Sequence, residues 1–256
     1  MRFPRFPRSS IASLQSRRLA TPVVLSPARL SHSGPSWRPI LAISSAVRGL
    51  IDPTQADQIA ALGEATGPIF LRKIRDKMLL DPTGRKILRE RPVINSTTLD
   101  LEKLRQYPPN SFGLAYTRFM DQYHFDPDER SPVKYVDDPE LAYVILRYRQ
   151  VHDFWHTLSG LDQITVEAEL ALKWFEAHQT GLPVAILSAL VGPLRLTPLE
   201  RERLFTHYVP WALQCAESCK FLMSVMYEDL LDQDIDQVRK DLGFIPIPPL
   251  KPSLEP

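Results

Sequence analysis

The segment His152-Asp153-Phe154-Trp155-His156 sets two imidazoles four residues apart with a carboxylate between them. On a helix that advances about 100° per residue, with His152 taken as zero, His156 stands near 40° and Asp153 near 100°. The three side chains therefore share one face. Neutral imidazoles and carboxylates are donors that suit zinc, and a fourth donor has to come from another element. Glu167 and Glu169 follow across a short turn, and either can reach back. Arg149, at about 60° on the same wheel, lies one turn up this face. Its guanidinium could hold a substrate carboxylate through two parallel hydrogen bonds, or form an ordinary i, i+4 helix ion pair with Asp153. Arg147, at about −140°, is expected to face away and to tolerate lysine.

Other chemistries are poorly represented. The histidine spacing is that of the HExxH helix of zinc proteases, where the intervening acid is a base rather than a ligand, so the role of Asp153 is open. Neither GxGxxG nor GxxxxGK[ST] occurs among the ten glycines, which leaves no phosphate-binding loop. Ser159 is not in a nucleophile elbow. A metal phosphohydrolase would need a further histidine upstream and an aspartate downstream at ligand spacing, and these are missing. His124, His178 and His207 stand apart from the motif. Cys215 and Cys219, four apart on one expected helix, read as small buried hydrophobes.

The elements that must position these residues read as helices. Gly67-Pro68 interrupts an apolar pattern running from Ile59 to Leu79. Ser96-Thr97-Thr98 is placed to cap a helix over Leu99 to Leu104, and Asn110-Ser111 to cap one carrying Phe112, Tyr116, Phe119 and Tyr123 on one side. Asp137-Asp138-Pro139 opens the helix of the motif, expected from Pro139 to about Leu158 with Gly160 as its stop. A second helix is expected from Asp162 to about His178, antiparallel to the first. The apolar segment from Val184 to Val191 precedes the longest expected helix, from Thr197 to about Leu231 with a kink at Pro210. No alternating strand pattern stands out. The fold class is all-α, one helical domain over residues 52–243 followed by a proline-rich tail, 244–256.

Charge divides the chain of 256 residues in two. Residues 1–51 hold eight arginines and no acid or lysine; the first acidic residue is Asp52. Removing those eight from the 31 basic residues leaves 23 against 30 acids, so the body carries about −7. An arginine-rich, serine-rich, acid-free leader is the composition of a mitochondrial transit peptide, expected to be removed between about Ala20 and Arg48. An acidic body argues against nucleic acid as a partner. No run of 18 apolar residues suggests a membrane-spanning helix, and two cysteines cannot make a disulfide framework.

Around the motif, Val136-Asp137-Asp138-Pro139-Glu140-Leu141-Ala142-Tyr143-Val144 leads into Arg147-Tyr148-Arg149-Gln150-Val151-His152-Asp153, and Lys173-Trp174-Phe175-Glu176-Ala177 follows. This text resembles the mitochondrial coenzyme Q (ubiquinone) biosynthesis proteins that carry an HDxxH…E zinc signature, from about Asp52 to Pro249. Neither glutamate stands at the family's distance from the second histidine: Glu167 falls one residue short and Glu169 one beyond. Aligning on Lys173-Trp174-Phe175-Glu176 favours Glu169, and one inserted residue near Leu161-Asp162 accounts for the difference.

The resemblance implies Zn2+ held by His152, Asp153, His156 and Glu169. It also implies peripheral attachment to the matrix side of the mitochondrial inner membrane, in an assembly with the other enzymes of coenzyme Q synthesis. A homo-oligomer is compatible with it. The implied reaction removes the ring carboxylate of 4-hydroxy-3-methoxy-5-polyprenylbenzoate, with Arg149 the candidate catalytic residue. Coupled hydroxylation would require oxygen chemistry that redox-inert zinc cannot supply alone. The second function class is a non-catalytic lipid-binding scaffold with a structural zinc. Either needs an apolar groove, for which Phe112, Tyr116, Phe119, Phe221, Met223 and Met226 are candidates, although such stripes are ordinarily core.

Overall fold

A computed structural model of the chain describes residues 67–129, 132–161 and 165–250, all within one compact unit. The expected import leader lies outside the described residues. These fold as helices in the order α1 (Pro68–Leu80), α2 (Pro82–Glu90), α3 (Leu101–Leu104), α4 (Phe112–Tyr123), α5 (Pro139–Ser159), α6 (Val166–Thr180), α7 (Pro183–Val191), α8 (Pro198–Arg203), α9 (Val209–Ser218) and α10 (Ile235–Leu242). There is no strand among the described residues; one isolated bridge joins Ser111 to Asp234. The all-α expectation holds.

Helix α5 carries the motif and runs through the centre. Its start is fixed by Asp138, whose carboxylate accepts from the backbone N–H of Glu140 (2.9 Å) and Leu141 (3.1 Å), with Pro139 in the first turn. Its end is fixed by Gly160 at φ 73°, where a residue without a Cβ meets no steric penalty. The helix is buried on nearly every side, against α1 and α4 among others. Phe154 packs on Tyr116 and Tyr227 with ring centroids 4.5 Å and 5.0 Å away, and the Trp155 indole N–H donates to the Tyr227 hydroxyl at 2.8 Å. Helix α6, capped by Thr165 and packed on α7 and α9, meets α5 through Trp155 and Phe175, 6.1 Å apart.

Four local expectations differ from the structure. The cap of α3 is Asp100, accepting from the N–H of Lys103 at 3.0 Å, because Asn95 has already folded Thr97 and Thr98 into a turn. Helix α6 starts at Val166 rather than Asp162, since Thr165 is extended and supplies the cap. The helix opened by Thr197 stops at Ser218, where Cys219 turns extended, and not at Leu231; Cys219 is therefore beyond the helix that carries Cys215. Before Pro210 the chain makes a π-turn, Leu204–Tyr208, which accommodates the residue that cannot donate.

Of the aromatic and methionine stripes, Phe112, Tyr116, Phe119, Met223 and Met226 are buried core, and Phe221 is partly buried against it. The described part of the C-terminal segment is pinned. Trp211 donates to the Ile245 carbonyl (2.8 Å), the Ile247 N–H to the Ser159 carbonyl (2.9 Å), and His207 meets the Pro248 carbonyl at 3.0 Å. Residues 244–250 thus strap the end of α5 to α9.

Candidate metal centre

Spacing on two antiparallel helices builds the site. On α5, Tyr148, His152 and His156 recur every four residues; on α6, Glu169, Lys173 and Glu176 recur at four and three. Each triplet occupies one helical stripe. Because the helices run in opposite directions, Tyr148 faces Glu176, His152 lies between Glu176 and Glu169, and His156 faces Glu169.

His156 Nε2 is 2.9 Å from Glu169 Oε1 and 3.2 Å from His152 Nε2, and His152 Nε2 is 3.7 Å from Glu169 Oε2. One donor atom from each of these three residues lies within 4.8 Å of the others. Glu167, two residues earlier, points to the opposite side and pairs with Arg203 at 3.1 Å. The rings of the two histidines are nearly perpendicular, and His156 is held flat against Phe119, with centroids 5.3 Å apart.

The donor chemistry fits a cation. Burial and the neighbouring Lys173 lower the His152 pKa, so its ring is neutral at pH 7. Its Nδ1 is 2.7 Å from Glu176 Oε1, and an ionised carboxylate only accepts, so Nδ1 carries the proton and Nε2 a lone pair. Burial pushes Glu169 toward neutrality, but His156 and then His152 and Lys173 outweigh it and hold the carboxyl well below the usual range. Two ring nitrogens 3.2 Å apart beside an anionic oxygen are the donors a divalent ion of nitrogen and oxygen preference would use.

Asp153 sits in the same turn, 3% exposed, but is not one of the three converging groups. Arg149 is half-buried and close enough to Tyr148 to influence it electrostatically. Arg147 does not face solvent. It is fully buried, with Nη1 and Nη2 at 2.5 Å and 2.9 Å from the two carboxylate oxygens of Glu228 and Nη2 donating to the Val225 carbonyl at 3.1 Å. Lysine is therefore not expected to be tolerated: the planar fork is taken up by the partly exposed Glu228 carboxylate and the Val225 carbonyl.

Glu176, Lys173 and Tyr148 were not singled out as site residues from sequence, although Glu176 stands seven residues after Glu169 and so on the same stripe. That periodicity was the available signal.

Residues 34–248 match the family described as coenzyme Q (ubiquinone) biosynthesis protein Coq4. Among similar proteins, the mitochondrial ubiquinone biosynthesis protein COQ4 of Laccaria bicolor is 46% identical over 220 residues, covering 85% of this chain and 74% of that protein. The mitochondrial coq4 protein of Schizosaccharomyces japonicus is also 46% identical, covering 86% and 92%. A crystal structure of a Nostoc punctiforme protein shares the fold with a TM-score of 0.65 at 20% identity, over 80% of this chain and 97% of that one.

Proposed function

This chain belongs to the coenzyme Q (ubiquinone) biosynthesis protein Coq4 family, and from that premise we propose that it acts in ubiquinone biosynthesis as a zinc-dependent carbon–carbon lyase. Its substrate in this reading is 4-hydroxy-3-methoxy-5-polyprenylbenzoate, which loses the ring carboxylate. The observation that carries the reading is the convergence of His152, His156 and Glu169 on one point.

His152, His156 and Glu169 would hold the ion, and Asp153 in the same turn would be the fourth donor. When bound, zinc supplies a Lewis acid for the oxygens of the substrate. Four protein ligands would close the site, so for catalysis Asp153 would have to give up its place to a substrate oxygen. In the reaction the bond from the ring to the carboxylate breaks, carbon dioxide leaves, and the ring carbon takes up one proton, with no oxidant needed. Arg149 would orient the leaving carboxylate through its two-pronged guanidinium.

Purified protein should hold one zinc per chain and release carbon dioxide from the prenylated substrate. Arg149→Lys should keep zinc and fold while turnover falls by about two orders of magnitude, because the charge remains and the fork is lost. Normal turnover in that variant would remove the substrate role. Bound zinc with no carbon dioxide released would favour the scaffold reading, in which the metal only braces the helices.

The protein would work at the matrix face of the mitochondrial inner membrane, beside the other enzymes of the pathway. No helix among the described residues is long and apolar enough to cross a bilayer. Ile186, Leu190 and Leu194 recur every fourth residue and are 38%, 62% and 76% exposed, a stripe suited to resting in the headgroup boundary. Alkaline carbonate should release the protein from mitochondrial membranes, and retention in the pellet would count against a peripheral attachment.

A further inference from the structure

We propose that Glu176 is a positioning residue for the metal centre: it fixes the His152 ring in the tautomer and orientation that turn Nε2 toward His156 and Glu169. The inference rests on the metal-binding reading above and extends it to residues that touch no metal.

Glu176 is completely buried. A buried carboxylate is costly unless every lone pair finds a donor, and here the donors come from three residues. Tyr148 donates its hydroxyl, Lys173 places its ammonium 2.9 Å and 2.8 Å from the two oxygens, and His152 Nδ1 stands at 2.7 Å. Every partner is a donor toward an acceptor, which leaves His152 no choice of tautomer. The ring is held at its far edge, and its second nitrogen is pushed toward the converging groups.

The two histidines are not held alike. His156 Nδ1 is buried without a hydrogen-bond partner among the described residues, and the ring is positioned by stacking on Phe119 instead. One ligand is therefore oriented by hydrogen bonds and the other by packing. A carboxylate accepting from the remote nitrogen of a ligating imidazole also raises the basicity of the nitrogen that binds. Loss of Glu176 should act on His152 and leave the His156 ring in place.

The test uses the full chain in two states. In zinc-free protein, the side-chain nitrogen NMR of the histidines should show His152 with its proton on Nδ1. Glu176→Ala should move that proton to Nε2 or to a mixture, and Glu176→Gln, whose amide oxygen still accepts, should restore much of the Nδ1 form. In chelator competition with zinc alone, affinity should fall by about 10–100-fold in Glu176→Ala and less in Glu176→Gln. Glu167→Gln, on the other side of α6, should change neither readout. If Glu176→Ala does not fold, Glu176→Gln and Tyr148→Phe carry the comparison, each with a smaller shift in the same direction. Folded Glu176 variants with an unchanged tautomer and unchanged zinc affinity would overturn the proposal. A parent chain that binds no zinc would overturn the metal-binding reading itself, a different result from zinc bound equally by parent and variants.

Discussion

Substituting His156 or Glu169 should each lower zinc affinity by about a hundredfold, and Glu167→Gln should leave it unchanged. Structural zinc sites bind with roughly 10–16 kcal/mol over four ligands, so one ligand carries about 3 kcal/mol, or about two decades in affinity. Geometry assigns the loss: Glu169 Oε1 is 2.9 Å from His156 Nε2, while the Glu167 carboxylate is 3.1 Å from Arg203 and on another side of α6. Zinc titration of the three purified variants decides it. Equal losses for Glu167 and Glu169, or a larger one for Glu167, would mean that α6 binds the ion through the other glutamate. Asp153→Asn separates a closed site from an open one, since a permanent fourth ligand would cost as much as the other three and an exchangeable one much less.

Arg147→Met should destabilise the fold by about 3 kcal/mol, near the lower end for breaking a buried ion pair because Glu228 keeps access to water. The change strips both carboxylate oxygens of Glu228 and the Val225 carbonyl of their donor. In a helical domain of this size it should appear as a drop of roughly 6–12 °C in melting temperature. Lysine at the same position keeps the charge but replaces a planar fork by a single point, so it should fall between parent and methionine. Pairing Arg147→Met with Glu228→Leu should recover part of the loss, because a buried pair replaced by apolar groups no longer strands a charge. Thermal unfolding followed by circular dichroism is the measurement, and a methionine variant as stable as the parent would contradict the role given to the pair.

The two arginines of α5 show how far a helical wheel can be taken. The wheel gives angles about one axis and says nothing of what lies at each angle. Arg147 does lie away from the histidines, but the far side of α5 is another part of the interior rather than water. A helix at the centre of a domain is enclosed all round, and nothing in its own residues announces that Glu228, some eighty positions later, closes over it. The apolar stripes followed the ordinary rule: Phe112, Tyr116 and Met223 are buried in the core. The anchoring of the proline-rich end to Ser159, His207 and Trp211 was not legible, because each bond uses a backbone carbonyl or N–H that almost every residue carries and so leaves no pattern in sequence.

What the sequence determined by itself was local. Helical periodicity, Asp138-Pro139 at the start of α5 and Gly160 at its end follow from propensity and capping, which depend on residues a few positions apart. The i, i+4 spacing put His152 and His156 on one face for the same reason. The tertiary structure decided everything that crosses between helices. It set Glu169, which the alignment on Lys173-Trp174-Phe175-Glu176 had favoured, rather than Glu167 beside the histidines, because the register of α6 against α5 decides which stripe faces inward. It also brought Glu176, Lys173 and Tyr148 behind His152, because buried charges survive only where packing delivers their partners.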